Sequence, residues 1–348
     1  MMTKAFFSPG ASWNKTASTI GIDTSDLVKT WPARLLKYGG GPLASAQRFN
    51  LNLKDYSVPI YDVAKATTTA KCFQLNWSKA MQTFGNVPIG TTIPWNPAWK
   101  PGTGSDKIMC IVNYVTGEAW YLWGVTPDPG LACFDLFGPN VAAGLLNPWG
   151  LKLGLGTLHR QANIWTAKEG STVNARGMGI DKGALVIRAS EVASGRVCHA
   201  VELTTSNPAT LPMKHRRPAT KLEHANGVPT GTDGSNVMPA DQTLPSGARF
   251  VLLRDRAWVE NWAYAKFGKT RLAESMIVIA MAFVEYGAII AETGGWGIGI
   301  ETDGMLDPTS GAIWKSLGFV DNGTPNPAAG YLDGLFDDPA YIAVVKEP

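Results

Sequence analysis

Charge is scarce in this sequence. Charged residues occupy 17% of 348 positions, against about a quarter in an ordinary soluble domain. Ser, Thr, Asn, Gly and aromatic groups must therefore cover much of the surface. The net charge of +3 is near neutral. A nucleic-acid binder carries a basic stripe, whereas here only Lys214, His215, Arg216 and Arg217 cluster. A run that short ordinarily sits in a solvated loop, so nucleic acid is not an expected partner.

Metal and cofactor signatures are also missing. The cysteines are Cys72, Cys110, Cys133 and Cys198, with no two at metal-ligand or redox spacing. Cys110 lies in an apolar run and reads as a buried free thiol. His159, His199, His215 and His224 form no paired ligand motif. No nucleophile elbow and no phosphate-binding glycine loop is present, so neither a metal nor a cofactor is expected. No apolar run approaches the roughly 18 residues that cross a membrane. The longest runs from Met276 to Val284, and membrane insertion is not expected. The first ten residues lack the apolar segment of about 7–15 residues that export requires. Work outside the cell would then imply a leader absent from this sequence or release by lysis.

What the chain does have is punctuation: 38 Gly and 23 Pro spread along its length. They divide it into short segments, the texture of strands joined by turns. Strands are expected at residues 57–63, 71–75, 107–113, 119–123, 184–188, 196–204 and 248–254. Residues 107–113 and 119–123 flank a short Gly-containing loop and read as a hairpin. A short N-terminal helix is expected at 25–38, unless Pro32 splits it into two turns. The strongest helix signal covers 270–286, with Thr270 as cap, Gly287 as stop and apolar residues all round, which marks a buried helix. Residues 288–292 and 297–301 then read as a second hairpin about Gly294-Gly295. The expected fold is mainly β, a β-sandwich or jelly roll with one buried helix. It forms a single domain over 1–348, with an N-terminal arm (about 1–50) and an irregular C-terminal wrap (about 305–348).

Several segments, taken in order, resemble a known family. They are Phe7 to Asn14, ending in Trp-Asn; Ser57 to Tyr61; Pro88-Ile89; and Gly104-Ser105-Asp106. Thr116-Gly117 follows, with Trp120, Tyr121 and Trp123, then Glu191, Gly195, His199 and Ala200. The last are Pro218-Ala219, the stretch from Pro245 to Phe250, and Tyr286-Gly287 before Glu292 and Gly294-Gly295. The family comprises largely uncharacterised, mostly secreted bacterial proteins with relatives among phage minor tail proteins. The resemblance spans about residues 6–301. It implies a carbohydrate-binding or carbohydrate-active protein in the secreted branch and a tail component in the phage branch. Where the family often carries a His after its Gly-x-Asp, this chain has Lys107 and Ile108. Where it often has Asp before the Thr-Gly turn, this chain has Asn113.

The candidate catalytic residues are Asp106, Glu191, His199 and Glu292. An imidazole on a strand, sharing a face with Val197, Val201 and Leu203, reads first as a core histidine and second as a general base oriented by an acid. Glu191 reads first as an acid at a helix N-terminus. Glu292 and Glu301 look like a carboxylate pair, but across a two-residue hairpin they would lie roughly 13 Å apart, too far for glycoside hydrolysis. The chain contains 13 Trp. Trp95 and Trp99 lie in a Pro-rich stretch expected outside the core. With Trp120 and Trp296 they are candidate ligand-binding rings for a sugar or a protein partner.

Three functions follow as expectations. The first is a phage tail (virion) protein, assembled with other tail proteins or with copies of itself, that touches a host-envelope glycan. The second is a glycan-degrading hydrolase or lyase. The third is a secreted, non-catalytic carbohydrate-binding module.

Overall fold

The structure, a computed structural model, describes residues 6–39, 49–75, 85–128, 133–134, 151–169, 176–206, 215–220, 241–294, 297–320 and 330–348. In chain order the strands are β1 (Phe49–Asn52), β2 (Ile60–Asp62), β3 (Thr68–Leu75), β4 (Thr92–Trp95), β5 (Met109–Val112), β6 (Ala119–Trp123), β7 (Thr126–Pro127) and β8 (Cys133–Phe134). They continue as β9 (Leu151–Leu155), β10 (Thr157–Gln161), β11 (Val201–Thr205), β12 (Arg249–Leu252), β13 (Ala288–Thr293), β14 (Ile298–Glu301) and β15 (Ile342–Val344). The helices used below are α1 (Trp31–Tyr38), α2 (Ala189–Ala193), α3 (Arg256–Phe267), α4 (Arg271–Glu285) and α5 (Pro308–Ser316).

The strands pair into three sheets. The largest has six strands in the order β1-β14-β11-β13-β12-β15, the next is β10-β6-β5-β2, and the third is β4-β3-β9-β7 with β8 beside β3. Pairing is mixed: β1 with β14, β11 with β13, β2 with β5 and β3 with β9 run parallel. The chain is thus β-rich, with helices packed among mixed sheets.

The four-stranded sheet is covered on both faces. Met109 and Ile111 of β5 enter one core, Cys110 and Val112 the other; Trp120 and Leu122 of β6 side with the first, Ala119 and Tyr121 with the second. A strand covered on both faces reads as a continuous apolar run, which explains residues 109–112. The expected hairpin is there, with Met109 opposite Leu122 and Val112 opposite Ala119. The smaller core lies where this sheet meets the third one, which contributes Cys72, Ile93, Trp95, Leu153 and Leu155. Cys72, Cys110 and Cys198 are free thiols.

The larger core gathers around α4. The Thr270 hydroxyl caps it, accepting from the Ala273 N–H at 3.2 Å, and Met276, Ile279, Ala280 and Phe283 are buried. The helix is not alone, for α3 packs beside it. Only Val259 and Ala263 of α3 are buried, so its apolar stripe is too thin to stand out among Arg, Glu and Lys. The N-terminal segment is built into this core through Phe6, Phe7, Trp13, Trp31 and Leu35, and its β1 enters the large sheet. The expected 25–38 helix divides into a 3-10 turn (Asp26–Val28) and α1, with Pro32 in the first turn, where its missing N–H costs nothing. The C-terminal stretch, expected to be irregular, contains α5, capped by the Asp307 carboxylate on the Ser310 N–H at 2.9 Å, and the edge strand β15.

Three expectations fail. Residues 184–188 are not a strand: a helical turn (Lys182–Leu185) precedes a single bridge from Ile187 to Thr302. The strand expected from 196 begins only at Val201, so His199 shares no strand face with Val201 and Leu203. No hairpin joins β13 to β14, because β11 lies between them. The Gly-rich stretch imitates a hairpin turn in the sequence, yet the Gly294 N–H donates to the Thr205 carbonyl at the end of β11, at 2.8 Å.

Gly287 carries the chain from α4 into β13. It takes φ 77°, and a Cβ there would fall 2.3 Å from the Phe250 carbonyl oxygen. Gly287→Ala is expected to cost at least about 2 kcal/mol in urea unfolding. A change below about 0.5 kcal/mol, typical of an unconstrained site, would contradict this close passage.

Candidate functional site

Glu191 and His199 do converge. Glu191 lies in the first turn of α2, and its carboxylate turns back to accept the Arg188 backbone N–H at 3.1 Å and a guanidinium N–H of the same residue. His199 Nε2 is 3.2 Å from Glu191 Oε2, and Nδ1 is 2.8 Å from the Ala200 carbonyl oxygen. Both ring nitrogens therefore lie against oxygen atoms of the protein. Burial alone would raise the Glu191 carboxyl. The Arg188 guanidinium and then His199 more than offset this and hold it well below the usual carboxylate range. Both side chains are sealed, at 1% exposure each. A general base must reach a substrate proton, and this one is directed at the protein's own interior.

The surroundings extend the same network. The Arg188 guanidinium lies 4.3 Å from the centre of the Phe6 ring. Nearby, Asp303 accepts from the Ala189 N–H at 3.1 Å, the Ser310 hydroxyl at 2.8 Å and Trp314 Nε1 at 2.7 Å. It thereby ties the start of α2 to α5. Burial pushes the Asp303 carboxyl up to about 7. Burial likewise pushes Asp181 up to about 7, beside the Tyr121 hydroxyl and the N–H groups of Ala184 and Gly183.

A second constellation lies in the large sheet. Carboxylate oxygens of Glu202 (β11), Glu292 (β13) and Glu301 (β14) all lie within 4.8 Å of one another, and these residues are 0, 1 and 3% exposed. The antiparallel register sets Leu203 against Ile300, which places Glu202 across from Glu301. Glu292 joins them through a bulge: Leu203 pairs with Ile290 but Thr204 with Glu292, so Ala291 is the extra residue. Without the bulge, Glu292 would point to the opposite face. Asn52 of β1 pairs with Glu301 on the other side. The passage is narrow: a Cβ on Gly299 would fall 2.4 Å from Thr204 Oγ1 and 3.1 Å from Asn52 Nδ2. Three carboxylates this close repel unless a proton, a cationic side chain or a metal ion lies among them. Their all-oxygen donor set suits a hard divalent cation such as calcium, magnesium or manganese.

This arrangement corrects the hairpin estimate. Glu292 and Glu301 are brought together by the strand between their own, and the third acid, Glu202, was not anticipated. Its signal in the sequence was an acid enclosed by apolar neighbours, Val201 and Leu203, whereas Glu301 stands between Ile300 and Thr302. Asp106 stays apart, half-buried in the loop ahead of β5 in another sheet, with its carbonyl accepting from the Gly124 N–H at 2.9 Å.

The aromatic candidates sit elsewhere than expected. Trp95, Trp99 and Trp120 are buried in the smaller core. The Trp99 ring stacks on Tyr61 at 5.0 Å and meets Trp95 edge-on at 5.7 Å. The Pro-rich stretch turns its rings inward over the sheet, so their faces are occupied by one another. Trp296 lies outside the described residues.

Comparison with protein-family models, with curated proteins and with solved structures finds no match for this chain.

The buried acids set a pH dependence. A carboxyl raised from 3.8 to about 7 in the folded state, as at Asp181, lends stability that is full below 3.8 and is lost as pH rises through about 7. Asn cannot ionise. Asp181→Asn is therefore expected to gain on the parent protein between pH 4 and pH 8, by an amount on the order of 2–4 kcal/mol. Parallel pH profiles in chemical unfolding would contradict this.

Proposed function

We propose that this chain is a minor tail component of a phage particle that contacts the envelope of a bacterial host, with glycan recognition as its chemical content. The resemblance, in order along the chain, to a mostly secreted bacterial family with phage minor tail relatives supports this reading, as does a sequence poor in charge. The observation that carries it is the sealing of Glu191 and His199. The acid and imidazole that an enzyme would offer to substrate are instead bound to Arg188 and to backbone, which favours a binding and assembly role over turnover. The two smaller sheets, facing each other across their shared core, are read as the sandwich element of a rigid body of this kind.

A second reading has its own observation. Glu202, Glu292 and Glu301 supply clustered carboxylates of the sort that glycoside cleavage needs, in pairs roughly 5–5.5 Å apart for retention. The cluster gives a depolymerase acting on cell-wall polysaccharide, an activity that a tail protein can also carry, as the second reading. Its acids are as sealed as Glu191 and His199, at 0, 1 and 3% exposure, so turnover would require the large sheet to open to substrate.

Virions incubated with gold-labelled antibody to this chain are expected to show label at the tail in electron micrographs; unlabelled particles would sink the tail reading. For the second reading, purified protein is incubated with host wall polysaccharide. New reducing ends or unsaturated products that fall by about 10²–10⁴-fold in Glu292→Gln and Glu301→Gln would support cleavage. No products from the parent protein would remove it.

A further inference from the structure

We propose that the cavity lined by Ser12 and Arg249 binds a chloride ion, the counter-charge of a buried guanidinium. The inference goes beyond the functional reading above and does not depend on it. Arg249 lies on β12 and is 5% exposed. Each of its guanidinium nitrogens donates to a backbone carbonyl: Nε to Tyr286 at 2.5 Å, Nη1 to Ser12 at 2.9 Å and Nη2 to Lys15 at 2.7 Å. Carbonyls orient the group without neutralising it, and a buried charge is costly unless it is paired. Among the described residues no carboxylate forms an ion pair with Arg249. The neighbouring cations have acids of their own. Arg216 meets Asp23 at 3.1 Å and Glu347 at 3.9 Å, and Arg217 meets Glu169 at 3.3 Å. Burial accordingly pushes the Arg249 guanidinium down to about 10, against the weaker pull of Glu169.

A second group points to the same ligand. Ser12 is 2% exposed, and its hydroxyl has no hydrogen-bond partner among the described residues. A buried hydroxyl left without a partner costs free energy. Ser12 and Arg249 line one cavity of about 10 Å³, with Arg216 and Arg217 beside them. Glu347 lines it as well, but its carboxylate is engaged by Arg216 and by the Arg217 backbone N–H at 3.0 Å. Nη1 and Nη2 of Arg249 each keep an N–H beyond the one given to a carbonyl. The cavity therefore offers hydrogen-bond donors and an uncompensated positive charge. Its volume holds a particle of about the size of one water. Water would satisfy the hydroxyl and leave the charge unpaired. Phosphate, sulfate or a carboxylate would supply the charge but exceed the space. A monatomic anion meets both conditions, and chloride is the abundant one. Bound there, it would fasten the N-terminal segment, β12 and the end of α4, the three parts that Arg249 already joins.

Thermal unfolding of the full chain tests this, with sodium chloride replacing sodium gluconate at constant ionic strength. Gluconate is too large for the cavity. The midpoint of the parent protein is expected to rise by at least about 2 °C and to level off as the site fills. Ser12→Ala removes the hydroxyl and leaves Arg249 with its carbonyls, so the variant should fold. It should need about tenfold more chloride for half the rise, the loss of one hydrogen bond to a charged group. Comparing the two proteins removes any general effect of salt. Crystals of the parent protein grown in sodium bromide should show an anomalous peak within hydrogen-bond reach of Ser12 Oγ and an Arg249 nitrogen. A parent midpoint without a saturable response to chloride would overturn the proposal. So would a Ser12→Ala response equal to the parent's, or a cavity that holds water alone in the bromide crystals.

Discussion

Arg188 carries a positive charge into the interior, and much of the larger core is arranged around that charge. A buried ion is tolerated only when it is paired and hydrogen-bonded. Here Glu191 supplies the opposite charge, Phe6 covers the guanidinium, and His199 holds the far oxygen of Glu191 in place. Asp303 then couples the start of α2 to Ser310 and Trp314 of α5. The network joins the N-terminal segment, the middle of the chain and the C-terminal helix, three parts far apart in sequence. It explains why residues that look catalytic in the sequence are out of reach in the fold.

The carboxylates of the large sheet form a second layer with a different logic. Glu202, Glu292 and Glu301 come from three adjacent strands, and one bulge decides whether the third acid joins the other two. Asp181 lies near enough for Glu202 to add to the upward push on its carboxyl, after the larger effect of burial. The first network neutralises a cation and closes on itself. The second concentrates acid groups, and at 0, 1 and 3% exposure it is as closed to a substrate as the first.

What was legible in the sequence was local. The helix at 270–286 announced itself through Thr270, Gly287 and its apolar run, and the hairpin of β5 and β6 through a Gly-containing turn between apolar segments. Glu191 and His199, eight positions apart, were each readable as candidates, but their convergence was not. The insertion of β11 between β13 and β14 was not readable, because strand order depends on contacts between distant parts of the chain. Nor was the bulge at Ala291, which leaves no mark in side-chain alternation. The tryptophans misled for a physical reason: proline-rich segments usually lie outside cores, but β4 is a short strand whose rings fold back over its sheet.

The coupling between Arg188 and Glu191 is measured most directly by a double-mutant cycle in urea unfolding. Arg188→Met and Glu191→Leu should each cost about 3–5 kcal/mol, because each leaves a buried charge without its partner. The double variant should recover a large part of that loss, giving a coupling of more than about 1 kcal/mol. Two losses that simply add would mean that the charges do not hold each other, and that the Glu191–His199 pair is kept for some purpose other than the fold.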